Sequence, residues 1–171
     1  MRTNLPVTQR EHEFPADATL MSTTDTDSRI LYANAAFEQV CGFTEEELKG
    51  QPHNVVRHPD MPREAFADMW ATLKAGESWT GIVKNRRKNG DHYWVRANAT
   101  PVLRGGRTVA YLSVRTRPSR EEIQQAEALY ARFRGGTATG LAFRRGAVLR
   151  TGAMAWRTWL KTLPVRWRVR L

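Results

Sequence analysis

The chain has 171 residues, with 27 lysines and arginines against 17 acidic residues, and one cysteine. That length holds one domain of ordinary size plus a tail, and a lone Cys41 excludes an intramolecular disulfide, which fits a reducing compartment. The net charge of +10 belongs to one end: every acid lies before Ala128, where acids and bases balance, and the ten basic residues beyond it meet no acid. The opening MRTNLPVTQREHEF lacks the apolar run of a secretory leader, and no window approaches the roughly 18 apolar residues of a membrane span, so no bilayer crossing is expected from this chain.

In chain order, residues 1–18 read as an N-terminal cap. Short strands are predicted at 19–24 and 29–33, joined by the turn-rich Asp25-Thr26-Asp27-Ser28. Asn34 is placed to cap a short helix over AAFEQV that ends at Cys41-Gly42, and Thr44 with Glu47 forms a capping box for a second one ending at Gly50. Asp60 is expected to cap the next helix, with Pro62 in its first turn. There Phe66, Met69, Trp70 and Leu73 recur at i, i+3, i+4 and i+7, one buried stripe. After Gly76 a long hairpin is predicted, with arms at 79–87 and 92–102 around Lys88-Asn89-Gly90-Asp91, since Asn-Gly is the strongest short-range hairpin signal. A last strand at 108–117 follows. Ser119 and Glu122 then open a helix over 119–136, with Ile123, Ala126, Tyr130 and Phe133 on one face, closed by Gly135-Gly136. Strands and helices in runs, without strict alternation, predict an α+β fold: a five-stranded antiparallel sheet covered on one face by short helices. Such a pair of layers can hold a ligand between them.

The hairpin concentrates the chemistry. Side chains alternate faces along a strand, so Trp79, Gly81, Val83 and Asn85 share a side with the apolar set Tyr93, Val95, Ala97 and Ala99. An amide such as Asn85 on that face needs a hydrogen-bond partner, because a bare one costs about 1–3 kcal/mol. A backbone group near the turn would serve, and so would a heterocycle with adjacent donor and acceptor atoms, for which Gly81, Ala97 and Ala99 leave room. Trp79 reads equally as core. Trp94, with His92, Arg96 and Asn98, is expected on the opposite face as a docking surface for another segment or subunit. His53, Arg57, His58 and Asp60 lack an established zinc spacing, and no cysteine joins them. As loop residues they would be inert; alternatively Arg57 pairs with a pyrophosphate and a histidine stacks on a base. No nucleophile elbow, phosphate loop or paired-carboxylate motif stands out, so catalysis is the weaker class.

TLMSTTD, GQPHNVVRHPDMP, AFADMW and GIVKNRRKNGDHYWVRANA closely resemble the N-terminal PAS domain of bacterial aerotaxis receptors, over roughly residues 7–134 and more loosely to LPVRWR. The resemblance implies a PAS sensor at 19–118, a connecting helix at 119–136 and a helical, basic, juxtamembrane-like tail at 137–171. It implies noncovalent FAD and signalling by contact, not catalysis. It places His53, Arg57, His58 and Asp60 in the FAD-supporting segment, and Asn34, Trp79, Asn85 and Tyr93 in or beside the flavin pocket. Light-sensing flavin relatives carry a reactive cysteine in the segment matching NVVRH, which has none here, so no photoadduct is expected. Aerotaxis receptors continue into a membrane hairpin, a HAMP module and a helical signalling domain, which would act on this chain in cis or in trans.

The reading is a redox sensor for aerotaxis, cytoplasmic at the inner face of the bacterial inner membrane, with electrons from the respiratory chain and oxygen sensed indirectly. A homodimer is compatible with it. The rival class is a nucleic-acid-binding module built on FRRGAVLR and AWRTWLKTLPVRWRVRL, where basic residues and tryptophans interleave. The same tail has the Trp, Leu and Arg content of a segment lying on an anionic membrane surface, which is favoured over nucleic acid. A PAS domain holding heme, with His53 or His58 on iron, or a small metabolite is the third reading.

Overall fold

The computed structural model describes residues 3–151. Strands β1 (Leu20–Thr24) and β2 (Ile30–Ala33) come first. Helices α1 (Ala35–Cys41) and α2 (Glu45–Leu48), a 3-10 turn (His53–Val56) and helix α3 (Arg63–Lys74) follow. Strands β3 (Trp79–Arg86), β4 (His92–Arg104) and β5 (Arg107–Thr116) complete the sheet, helix α4 (Arg120–Arg134) leaves it, and β6 (Leu141–Arg144) and β7 (Ala147–Arg150) form a separate hairpin. The sheet is antiparallel throughout in the order β2-β1-β5-β4-β3, so β5, last in sequence, is central. β3 and β4 pair without a slip from Trp79 opposite Ala99 to Arg86 opposite His92, which keeps the odd-numbered side chains of both arms on one face.

The sequence signals at the helix starts act as expected in three cases. The Asn34 side chain accepts from the Phe37 N–H, and Thr44 with Glu47 and Ser119 with Glu122 make complete capping boxes. Asp60 departs from expectation. Helix α3 begins after Pro62 with no side-chain cap, because the Asp60 carboxylate is drawn to Lys84 Nζ at 2.8 Å.

The short helices cover one face of the sheet, over a core that includes Leu20, Ile30, Phe37, Cys41 and Leu48. The opposite face is covered as well, by α4: Trp94, expected to point outward, is only 5 % exposed and stacks on Tyr130, whose hydroxyl donates to the Ile82 carbonyl at 2.5 Å. The segment docked on Trp94 is thus the chain's own connecting helix. Arg96 pairs with Glu122 at the start of that helix, and Arg120 holds Glu11 and Glu13 of the N-terminal cap. The cap extends the β4 edge beyond the end of β5, with the His92 N–H donating to the Arg10 carbonyl and the His12 N–H to the His92 carbonyl. The tail corrects the sequence reading: residues 141–150, expected to be helical, fold as the β6-β7 hairpin, and the rest of the expected helix lies outside the described residues.

Candidate functional site

Between the inner face of the sheet and the helical layer lies a cavity of about 270 Å³. Helix α3 lines it with its apolar stripe, Phe66, Met69, Trp70 and Leu73, so the helix buries that face against a space and not only against the sheet. The odd face of the hairpin supplies Trp79, Val83 and Asn85 from β3 and Val95, Ala97 and Ala99 from β4, while β5 adds Tyr111, Ser113 and Arg115. Trp70 meets Tyr111 edge to face at 5.4 Å. Mostly apolar walls with a few convergent polar groups are the usual make-up of a small-molecule site, and the volume suits a fused-ring head group but not an entire dinucleotide.

Of the residues singled out from sequence, His53, Arg57, Trp79 and Asn85 line this cavity together. The other four lie elsewhere. Asn34 has its amide committed: Oδ1 accepts from the Phe37 and Met21 N–H groups, and Nδ2 donates to the Thr19 carbonyl. His58 and Asp60 belong to a polar cluster facing α4, in which His58 and Lys84 are buried and Asp60 is partly exposed. There the Asp60 N–H donates to His58 Nδ1 at 3.0 Å, Lys84 pairs with Asp60, and Arg134 donates to the Asp60 carbonyl at 2.7 Å. They brace the loop that carries Arg57. Tyr93 stands opposite Asn85 across the strand pair and is fully buried, edge to face with Phe14.

Sequence reasoning missed the residue that dominates the cavity's electrostatics. Arg115, on the central strand, is 2 % exposed and donates through Nη2 to Ser22 Oγ at 2.8 Å and His53 Nε2 at 2.6 Å, with its guanidinium over the Phe37 ring at 4.7 Å. Because His53 Nε2 accepts, the imidazole is neutral with its proton on Nδ1. Burial, and after it the Arg115 charge, pushes the His53 pKa down to about 3. Burial also lowers the Arg115 pKa to about 10, which leaves it charged at neutral pH. The signal was present in the alternation of β5, where Tyr111, Ser113 and Arg115 share a face, but nothing in sequence shows that this strand runs through the middle of the sheet.

Three lining residues carry buried polar atoms with no hydrogen-bond partner: Asn54 Oδ1, Arg57 Nε and Arg115 Nη1. Native interiors satisfy nearly all such atoms; His58 Nε2, His92 Nδ1 and the Tyr93 hydroxyl, on residues that do not line the cavity, are likewise without a partner, and a polar ligand in the cavity would complete those on the lining. The Arg57 guanidinium carbon lies over the Phe66 ring, 3.8 Å from its centre. Among the described residues no group of three or more metal-binding side chains comes together. Cys41 is buried on α1, outside the cavity lining, with its thiol pushed up to about 11 by burial.

One side chain ties the cavity wall to the tail. Asp68 of α3 accepts from Trp79 Nε1 at 2.7 Å and from the Gly146 and Arg145 N–H groups at 2.7 and 3.0 Å. The tip of the β6-β7 hairpin thereby lies on the edge strand β3. Gly146 is obligatory there: its φ is +91°, and an added Cβ would fall 1.7 Å from the Thr80 carbonyl oxygen.

A five-stranded antiparallel sheet, a cover of short helices on one face and a cavity between the two layers define a small α+β domain of sensor type. The family model for the PAS fold matches residues 30–115, and the chain belongs to the PAS family. It is 57% identical over 164 residues to the aerotaxis receptor of Escherichia coli (strain K12), an alignment that covers 96% of this chain and 32% of the receptor, so the chain spans about a third of that relative. It is also 36% identical over 83 residues to the nitrogen fixation regulatory protein of Klebsiella oxytoca, covering 48% of this chain and 17% of the relative. Among solved structures, the dark structure of the blue-light photoreceptor Aureochrome1 LOV shares the fold at a TM-score of 0.58 and 18% identity, over 64% of this chain and 85% of that one. A light-oxygen-voltage domain described with a flavin analogue matches at 0.58 and 24%, over 69% and 88%.

Proposed function

We propose that the chain is a sensor module that binds FAD and reports redox state for aerotaxis. The observation that carries this reading is the set of unpartnered buried polar atoms on Asn54, Arg57 and Arg115 around an aromatic-lined cavity. The identity with an aerotaxis receptor supports it. A bound flavin supplies reversible electron uptake with a change of charge and hydrogen bonding at its ring edge. The amides of Asn85 and Asn54 meet that edge, and Val83, Val95 and Ala97 exclude water around it. Trp70 and Tyr111 close the aromatic side of the cavity. Arg57, which is partly exposed, would pair with the pyrophosphate. Output is by contact: electrons arrive indirectly from the respiratory chain, the sheet and α4 carry the change outward, and a HAMP or signalling domain at the inner face of the membrane receives it. Among the described residues no helix is long and apolar enough to cross a membrane.

The absorption spectrum of the purified protein tests the reading. A flavin spectrum, with FAD recovered on denaturation, is expected. Protein that stays colourless after incubation with FAD, or that shows a heme Soret band, would overturn it.

A further inference from the structure

Arg115 poses a problem of charge. Its guanidinium is almost wholly buried, yet none of the ion pairs among the described residues includes it. The titratable groups that would favour its charge are Tyr93 and Cys41, and burial keeps both neutral. Taking such a cation out of water costs several kcal/mol unless an opposite charge answers it. The bonds to Ser22 and His53 do not account for it, since both acceptors are neutral and a neutral amide donor would satisfy them equally. Arg115 is one of the residues that line the cavity, and its other terminal nitrogen, Nη1, is buried with nothing to donate to among the described residues.

We infer that Arg115 is the counter-charge for an anionic group on the cavity floor, and that in the flavin-bound chain this group is the reduced ring. The inference rests on the flavin reading above. A dinucleotide offers two sources of negative charge, its phosphates and its reduced ring, and the two arginines of the cavity are placed for different ones. Arg57 lies on Phe66 in the loop after the 3-10 turn and is partly exposed, where phosphates can remain near water. Arg115 lies on the central strand, almost wholly buried, with Phe37 and His53 against it, a site suited to the ring and not to phosphates that stay near water. The oxidised ring is neutral. Two electrons from a reduced quinone- or flavin-class donor and one proton from water, taken up at the central ring nitrogen, leave one net negative charge on the pyrimidine edge. Arg115 therefore holds the reduced ring more tightly than the oxidised one. The same guanidinium grips Ser22 of β1 and His53 of the 3-10 turn, so both elements feel the change of charge.

The test is a redox titration of the flavin-loaded chain, wild type against Arg115→Gln, Arg115→Met and Arg115→Lys, with flavin content measured in the oxidised state. The neutral variants are expected to keep oxidised flavin within about threefold of wild type. They should hold reduced flavin at least about tenfold less tightly, which is a fall of about 30 mV in a two-electron midpoint or about 59 mV in a one-electron one. Arg115→Lys should remain close to wild type. An unchanged midpoint in the neutral variants overturns the inference and leaves the flavin reading standing, as does an equal loss of oxidised and reduced flavin, which would make Arg115 a phosphate anchor or a structural post. Should neither neutral variant fold, the wild-type chain decides alone: a bound midpoint below that of free flavin refutes the counter-charge. A wild type without flavin ends both readings together.

Discussion

At the residue scale, the cavity separates side chains that touch a ligand from side chains that hold those in place. On the proposed flavin reading, Arg57 belongs to the first group. A charged hydrogen bond contributes about 1.5–3 kcal/mol, so Arg57→Ala should weaken FAD binding about tenfold or more and FMN binding distinctly less, as equilibrium titration of both flavins would show. Equal losses would indicate a damaged fold instead. His53 belongs to the second group and gives a pH dependence of definite sign. Its folded pKa of about 3 lies below the ordinary value of 6.5, so the unfolded chain binds the extra proton between those limits. The stability tied to neutral His53 is complete above about pH 6.5 and is lost progressively as pH falls toward 3, with a slope approaching about 1.4 kcal/mol per pH unit. His58, pushed down to about 4 by burial first and Lys84 second, acts in the same direction. Denaturant titrations from pH 7.5 to 5 should show this decline, and His53→Gln, which can still accept from Arg115, should flatten it by about one proton. A slope unaltered by that substitution would assign the decline elsewhere.

At the scale of elements, the tip of the β6-β7 hairpin is held by Asp68 and the β3 edge, while Phe143 of β6 packs on Tyr130 and Phe133 of α4. The Thr80 N–H reaches the Arg145 carbonyl at 3.4 Å, and Arg145 pairs with Glu77 at 2.6 Å. Gly146→Ala should lift the tip off β3, seen as faster hydrogen exchange at the Thr80 and Arg145 amides and faster proteolysis within residues 137–150, with Trp79 emission unchanged. Asp68→Ala should release the tip and alter Trp79 emission as well. Protection of Thr80 that survives Gly146→Ala would show that the tip is not held there. The elements themselves were largely legible in sequence, since caps such as Asn34, Thr44 and Ser119 act over three or four residues and the alternation of β3 and β4 sorts their faces. Asp60 and the tail were not legible. In both, a local preference loses to a partner far along the chain: Lys84 takes the carboxylate that would have capped α3, and β3 with Asp68 receives a hairpin where composition suggested a helix. Arg115 escaped notice for the same reason, as its isolation depends on the order of strands.

At the scale of the whole molecule, charge divides the chain into a balanced domain and a cationic end. Each basic residue near an anionic surface contributes about 1 kcal/mol, so charge alone would draw the tail to lipid or nucleic acid alike. Trp156, Trp159, Leu160, Leu163 and Trp167 add apolar groups suited to a lipid interface. The chain is expected to bind vesicles containing anionic lipid with a blue shift of tryptophan emission, to lose both effects when truncated after Gly136, and to bind duplex DNA weakly and only at low salt. Tight, salt-resistant DNA binding without a vesicle-induced shift would reverse that ranking.

The contact between Trp79 and Gly81 bears on how this cavity can change over generations. The Trp79 ring is pinned by Asp68 and lies along its own strand over Gly81, so close that a Cβ at position 81 would come within 2.5 Å of it. Gly81→Ala must therefore expel the ring into the cavity or break its bond to Asp68, and should cost flavin affinity and stability together. Trp79→Phe made beforehand removes the colliding atoms, so the double variant should be less damaged than the sum of its parts, with a coupling on the order of 1 kcal/mol or more. A mutational path that resizes this cavity then has a compulsory order. The indole must shrink first, and only afterwards can position 81 gain a side chain. Libraries randomised at both sites should return matched pairs and almost no single changes at 81.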